Sequence, residues 1–329
     1  MRPAAPTAKV GAAFACNIFH ARPIEYCGGE SMVQKGTGEF QKALKLLPSE
    51  MRAAASRLPE SVSSRVEEFR LRVDRPICAV IGERETPLED KVYITQAELQ
   101  MVLEIATRAS VHSYADSIRQ GYVTAEGGLR LGLCGMAVTE GGSITALRRL
   151  SSICIRIPHE KQGCADGVFS RLTEGGFAST LIVSPPGGGK TTLLRELVRL
   201  LSDGGSRVSL VDERCEVAGC FEGRPCFDVG AGTDVLTAAP KSEGVFLLLR
   251  AMNPRIIAFD EITSPLDIEA ADAAANGGVS LLTTAHAAGL DELFERPLYQ
   301  RLLERRIFKH AVLIRNDDGR RSYFVEDLQ

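Results

Sequence analysis

The stretch Leu181-Ile182-Val183-Ser184-Pro185-Pro186-Gly187-Gly188-Gly189-Lys190-Thr191-Thr192-Leu193-Leu194-Arg195-Glu196 decides the fold class of the chain. Leu181, Ile182 and Val183 read as a buried strand, and the prolines and glycines that follow disfavour regular structure. From Lys190 onward, apolar residues at 193, 194, 197, 200 and 201 recur with a helical period. Strand, glycine-rich loop and helix is the context a phosphate-binding loop requires. Glycines let backbone N–H groups turn inward around a phosphate, and the helix N-terminus adds its dipole. The reading assigns nucleotide binding to Ser184, Pro185, Pro186, Gly187, Gly188, Gly189, Lys190, Thr191 and Thr192. Lys190 reaches the terminal phosphates and the Thr191 hydroxyl binds Mg²⁺. The general pattern G-x-x-x-x-G-K-[ST] has glycine where Ser184 stands, but serine is small and three glycines follow. A chance glycine-rich turn is the bland alternative, and Lys-Thr-Thr directly after an apolar strand speaks against it.

The 329 residues suffice for two domains with cores of their own. Apolar content of 44% and charged content of 25% are those of an ordinary globular protein, and a net charge of −3 gives no nucleic-acid or membrane-binding balance. Nine scattered cysteines lack framework spacing and favour free thiols in a reducing cytosol. Cys215, Cys220 and Cys226 are spaced C-x4-C-x5-C, which is not a zinc-ligand spacing, so they read as unligated. No run approaches the roughly 20 apolar residues that span a bilayer.

Residues 1–35 are rich in Ala, Pro and Gly without sustained periodicity and lack the regions of a signal peptide. They read as a disordered extension, with Met32 as the natural start. A smaller α+β domain is expected over 36–160, built from a helix at 39–47, strands around 66–73, 76–81, 92–94 and 129–138, a helix capped at Thr95, a short helix at 114–120, and a strand in which Ile153, Ile155 and Ile157 alternate with Cys154 and Arg156. An α/β domain follows over 161–329. Its strands are expected at 179–184, 207–212, 254–260 and 279–286 and its helices at 190–202, 242–252, 266–275 and 289–305. A terminal hairpin turns at Asp317-Asp318-Gly319.

Asp260 ends an apolar strand, where it would hold Mg²⁺ opposite Thr191. Glu261 beside it would polarise the attacking water. The span from Lys190 to Asp260 leaves room for an intervening strand, the order of RecA-type ATPases rather than Ras-like GTPases. Neither Asn-Lys-x-Asp nor Leu-Ser-Gly-Gly-Gln occurs, which favours ATP hydrolysis. Glu213, with Asp212, Arg214 and Glu216 at a strand end, would order water or the Mg²⁺ shell; a surface ion-pair cluster is the alternative. His286 would sit near the γ-phosphate as a sensor. Of Arg130, Arg148, Arg149 and Arg156, one would reach a bound γ-phosphate, Arg130 and Arg156 being the candidates carried forward. A solvated strand edge explains the same arginines.

Together, Ser184-Pro-Pro-Gly-Gly-Gly-Lys-Thr-Thr-Leu-Leu-Arg195, Val211-Asp-Glu-Arg-Cys-Glu-Val-Ala-Gly219, Thr233-Asp-Val-Leu236, Leu249-Arg-Ala-Met-Asn-Pro254 and Asp260-Glu-Ile262 resemble the stage III sporulation protein AA family. Arg130-Leu-Gly-Leu-Cys-Gly135 and Ile155-Arg-Ile157 extend the likeness into the first domain, so that it covers most of 36–329. That family is an ATPase of endospore-forming bacteria, similar to the traffic ATPases of type II and type IV secretion. The resemblance implies a RecA-like P-loop domain with a parallel sheet, ATP and Mg²⁺ as ligands, an acidic box at Asp212–Glu216 and a histidine box at Thr284–His286. It also implies a homo-hexamer on the mother-cell face of the forespore membrane, cytoplasmic and held there by membrane partners, energising a channel between mother cell and forespore. The rival readings are a nucleic-acid-linked regulator, disfavoured by the missing basic and aromatic face, and a scaffold that binds ATP without turnover, disfavoured by Glu261.

Overall fold

A computed structural model of the chain describes residues 24–27, 36–89, 93–158, 162–317 and 320–328. The first strand, β1 (Ile24–Cys27), pairs antiparallel with a strand at the far end of the chain, Ile24 opposite Val325 and Cys27 opposite Ser322. Part of the segment expected to be a disordered extension is therefore a sheet edge. Met32 lies outside the described residues.

The first domain begins with helices α1 (Gly36–Leu46), α2 (Ser49–Ser56) and α3 (Glu60–Ser63), then strands β2 (Glu68–Arg72), β3 (Cys78–Ile81) and β4 (Arg84–Pro87). Helix α4 (Gln96–Ala106) starts at Thr95 as its sequence dictates: Thr95 Oγ1 accepts from Glu98 N at 3.2 Å and Glu98 Oε2 accepts from Thr95 N at 2.8 Å. A 3₁₀ turn (Val111–Tyr114), α5 (Ala115–Arg119), β5 (Tyr122–Ala125), β6 (Leu129–Glu140) and β7 (Ser143–Arg156) complete it. The six strands form one antiparallel sheet in the order β4-β3-β2-β7-β6-β5.

Alternation sorts the two faces of that sheet. Phe69, Leu71, Leu129, Leu131, Ile153 and Ile155 point into a core closed by Phe40 and Leu44 of α1, by Leu47 just after it, and by Leu99, Val102 and Leu103 of α4. Arg70, Arg72, Arg130 and Arg156 fall on the opposite parity and line the other face. Strand β7 starts ten residues before the alternating isoleucines, because Gly141 and Gly142, both at positive φ, turn it back along β6. The strand expected at 92–94 is reduced to single bridges of Tyr93 to Pro76 and Ile94 to Val73; residue 92 lies outside the described residues.

Helix α6 (Asp166–Leu172) opens the second domain, ahead of the first strand expected there. Then come β8 (Thr180–Ser184), α7 (Lys190–Asp203), β9 (Val208–Asp212), β10 (Thr233–Thr237), α8 (Lys241–Ala251), β11 (Ile256–Phe259), α9 (Pro265–Asn276), β12 (Ser280–His286), α10 (Leu290–Glu295), α11 (Pro297–Glu304), β13 (His310–Asp317) and β14 (Arg320–Asp327). The sheet runs β1-β14-β13-β8-β12-β11-β9-β10, parallel from β13 through β10 and antiparallel at β14 and β1. Both faces are covered. Ile182, Leu210, Ala258 and Leu282 pack under α7, whereas Leu181, Val183, Ile257, Phe259 and Leu281 pack under α8 and α9. Double burial is why these strands read as continuous apolar runs.

Two further departures have local causes. The helix expected over 289–305 is two helices, since Arg296 precedes Pro297 and adopts an extended backbone (φ −86°, ψ 121°), the conformation a following proline favours. Strand β10 was not anticipated: its Thr-Asp-Val-Leu-Thr run is too short and polar to stand out, and it gains its place by pairing with β9 at the sheet edge. In the terminal hairpin, residues 318 and 319 of the expected turn lie outside the described residues.

Candidate nucleotide site

In this strand order β12 lies between β8 and β11, with His286 opposite Ser184 and Phe259 opposite Thr283. The carboxyl ends of three neighbouring strands thus converge, the usual place for ligands in an open parallel sheet. There a cavity of 420 Å³ is lined by the phosphate loop (Pro186, Gly187, Gly189, Lys190, Thr191, Thr192), the acids Asp212, Glu213, Asp260 and Glu261, and His286.

The loop needs its glycines. Gly187 and Gly189 hold φ of 75° and 101°, and a Cβ on Gly188 would lie 1.7 Å from Ser184 Oγ. Ser184 itself is buried and does not line the cavity; its hydroxyl donates to the Pro185 carbonyl at 3.2 Å. Lys190, 5% exposed, donates to the carbonyls of Ser184 at 2.7 Å and Pro185 at 2.9 Å and to His286 Nδ1 at 2.8 Å. Burial lowers its pKa, against the opposing pull of Asp260 and Glu261.

Thr191 Oγ1 donates to Asp260 Oδ2 at 3.0 Å. Thr284, two residues before His286 on β12, donates to Asp260 Oδ1 at 2.6 Å and accepts from Glu261 N at 3.0 Å. One hydroxyl thus fixes both acids. The second bond holds Glu261 at φ 46°, a left-handed conformation costly for a residue with a side chain. Glu261 Oε2 lies 3.3 Å from His286 Nε2. With Nδ1 accepting from Lys190, Nε2 carries the ring hydrogen toward Glu261. Lysine, histidine and glutamate form one chain across the cavity floor.

Asp212 and Glu213 are neighbours with different surroundings. Asp212 is 2% exposed, and its carboxylate accepts from the backbone N–H groups of Glu216 (2.9 Å), Val217 (3.2 Å) and Ala218 (2.8 Å). Burial raises its pKa, and the backbone hydrogen bonds from Ala218 and Val217 oppose the rise. It organises the loop that follows. Glu213 faces the cavity, 3.5 Å from Lys241 Nζ, which also donates to Thr263 Oγ1 at 3.1 Å. Burial pushes the thiols of Cys215 and Cys220 up to about 11 and about 12, so both stay protonated at neutral pH.

The two arginines part company. Arg130 is half-buried, stacks 4.3 Å over the Tyr122 ring and ion-pairs with Glu216, a cavity-lining residue. Burial lowers its pKa. Arg156, 63% exposed and directly opposite Arg130 on the same sheet face, pairs with Glu68 at 3.3 Å and does not line the cavity. Lys241 and Arg321 do line it and were missed by sequence reading. A lysine after Pro240 at a helix start is a weak signal, and nothing local marks Arg321, which the terminal hairpin brings in.

The donor set suits a magnesium nucleotide. A threonine hydroxyl and a carboxylate side by side are hard oxygen donors, and Mg²⁺ is ordinarily held by one or two carboxylates plus phosphate oxygens and waters. The described residues contain no group of three or more His, Cys, Asp or Glu side chains able to hold a metal by themselves. The loop in which Gly188 has no room for a side chain matches a phosphate cradle.

Strand order, loop and acids define the class: a RecA-like P-loop fold of the kind found in secretion ATPases. The Legionella pneumophila ATPase DotB superposes with a TM-score of 0.53 at 18% identity, over 79% of this chain and 76% of that one. The pilus retraction motor PilT, solved with bound ADP, gives 0.55 at 16% identity over 82% of each chain. The sequence model of the family described as "Sporulation stage III, protein AA" matches residues 39–322, and the chain belongs to that family. It is 37% identical to Stage III sporulation protein AA of Bacillus subtilis (strain 168) over 269 residues, 80% of this chain and 87% of that protein.

Proposed function

We propose that the chain hydrolyses ATP to ADP and phosphate at this cavity and works as a sporulation motor. In this reading it assembles as a homo-hexamer in the mother-cell cytoplasm, is held at the forespore membrane by partner membrane proteins, and energises a secretion-like channel. Among the described residues no helix is long and apolar enough to cross a membrane, so we assign the membrane contact to partners.

The observation that carries the hydrolytic reading is the Thr284 hydroxyl bridging Asp260 and the backbone of Glu261, with Thr191 on the other oxygen of Asp260. Asp260 is thereby assigned to the metal side together with Thr191, and Mg²⁺ would supply charge neutralisation at the phosphates. Glu261 is left with its carboxylate directed at His286 and the cavity, placed to accept a proton from an attacking water. Lys190 is assigned to the terminal phosphates, His286 to relaying their presence to Glu261, and Glu213, steadied by Lys241, to the outer solvent shell of the metal. Arg130, joined to Glu216, is assigned to linking the first domain to the cavity; its cross-strand neighbour Arg156 pairs with Glu68 instead.

Steady-state phosphate release by the purified chain tests this reading, with Lys190→Ala and Glu261→Gln as controls and protein concentration as the variable. Specific activity that rises with concentration and is lost in both variants is the expected result. Turnover indifferent to Glu261→Gln would overturn it.

A further inference from the structure

Arg321 stands over the phosphate loop from the side opposite the acids. Its guanidinium Cζ and Nε lie 2.9 Å from where a Cβ on Gly189 would be, so the residue packs against the backbone that caps α7. It lines the same cavity as Lys190 and Thr191, and no carboxylate partner for it is found among the described residues. The reason for its position is topological. Strand β13 runs parallel to β8, so the turn end of the β13–β14 hairpin rises at the carboxyl edge of the sheet, with Arg321 opposite Asn316.

The strand order also gives the direction of approach. Asp260, Glu261 and His286 flank the loop from β11 and β12, on one side of β8, while β13 and β14 lie on the other. A phosphate chain cradled on the loop with its reacting end toward Glu261 therefore turns its nucleoside end toward the hairpin. We infer that Arg321 is a nucleotide-binding residue that grips the non-reacting phosphates, those shared by ADP and ATP. This rests on the assignment of the cavity to ATP and extends it. A guanidinium presents several fixed donors to phosphate oxygens, and a contact made equally to substrate and product changes affinity rather than the chemical step.

The test is calorimetric titration of the full chain with Mg-ADP, Mg-ATP and magnesium tripolyphosphate, for the wild type, Arg321→Ala, Arg321→Lys and Lys190→Ala. Arg321→Ala is expected to weaken all three ligands by a similar factor, about tenfold, the usual size of one lost charge-assisted hydrogen bond. Arg321→Lys, which keeps the charge and loses the fork, should fall between. In turnover assays the loss should lie in KM more than in kcat. Unchanged affinity in Arg321→Ala, with binding abolished in Lys190→Ala, would overturn this inference alone. A loss confined to ADP and ATP, with tripolyphosphate unaffected, would also overturn it by moving the contact to the nucleoside. Failure of the wild type to bind ADP or ATP would overturn the nucleotide reading itself.

Discussion

Thr284 carries more of the site than its chemistry suggests. A single hydroxyl satisfies one oxygen of Asp260 and the backbone N–H that holds Glu261 in its left-handed conformation. Thr284→Val keeps the shape and removes both bonds, so it should release Glu261 without touching a phosphate contact. The expected outcome is a kcat lowered by about tenfold or more with ATP affinity retained, checked by turnover assay beside calorimetric titration. Glu261→Gln should be the more severe, since a positioned general base contributes on the order of 10²–10⁴ in rate. At this scale the sequence points to residues that belong to a local pattern. Lys190, Thr191, Asp260, Glu261, Glu213 and His286 all end strands or begin a helix, and all face one cavity. Lys241 also begins a helix, but no motif around it marks it as a site residue, and Arg321 is brought there by the topology alone.

At the scale of elements, the loop between β8 and α7 is the most constrained. Gly188→Ala would place a methyl 1.7 Å from Ser184 Oγ and 3.1 Å from the Pro185 carbonyl, so the buried serine hydroxyl must turn away and the tight loop backbone must give. The expected cost is about 1–3 kcal/mol, as for other overpacked positions, together with loss of nucleotide binding. Paired thermal unfolding and ADP titration would read the two effects separately. The end of the sheet offers a pH test. His310 on β13 lies 2.7 Å from Asp327 on β14, an arrangement that by itself favours the charged ring, yet burial is the larger influence and lowers its pKa below 6.5. The folded state then binds fewer protons than the unfolded state between the two values. Its stabilisation is present above 6.5 and is lost as pH falls through the folded pKa. Thermal midpoints should therefore drop between pH 7 and 5, and His310→Gln should flatten that drop. Most elements were legible from alternation, from apolar runs and from the Thr95 capping box. The break at Pro297 was present in the sequence and overlooked, whereas β1 and β10 are strands only because a neighbour pairs with them.

The whole molecule is joined through the loop that follows Asp212. The buried Asp212 carboxylate fixes the backbone at 216–218, which presents Glu216 to Arg130 of the first domain. Farther along, Phe227 packs so closely on the turn at Gly128 that a Cβ there would lie 2.4 Å from the ring, and Arg108 reaches Glu222 at 3.1 Å. The sequence leads one to expect two domains from length and periodicity, but it gives no sign of this seam, whose partners are 86 to 114 residues apart and follow no spacing rule. If the seam couples the first domain to the cavity, Arg130→Ala and Glu216→Ala should lower ATP turnover by similar factors, and the double variant should lose no more than either single one. Independent, additive losses would place the two residues in separate roles.

The central claim is that Glu261 drives hydrolysis in a cavity that Lys190 and Thr191 load with Mg-ATP. The most direct test is to bind stoichiometric Mg-ATP to the wild type and to Glu261→Gln, quench at intervals and identify the nucleotide still bound. Conversion to ADP in the wild type, with intact ATP retained by Glu261→Gln over the same period, is the predicted result. Equal conversion in both proteins would contradict it and move the chemistry to another residue.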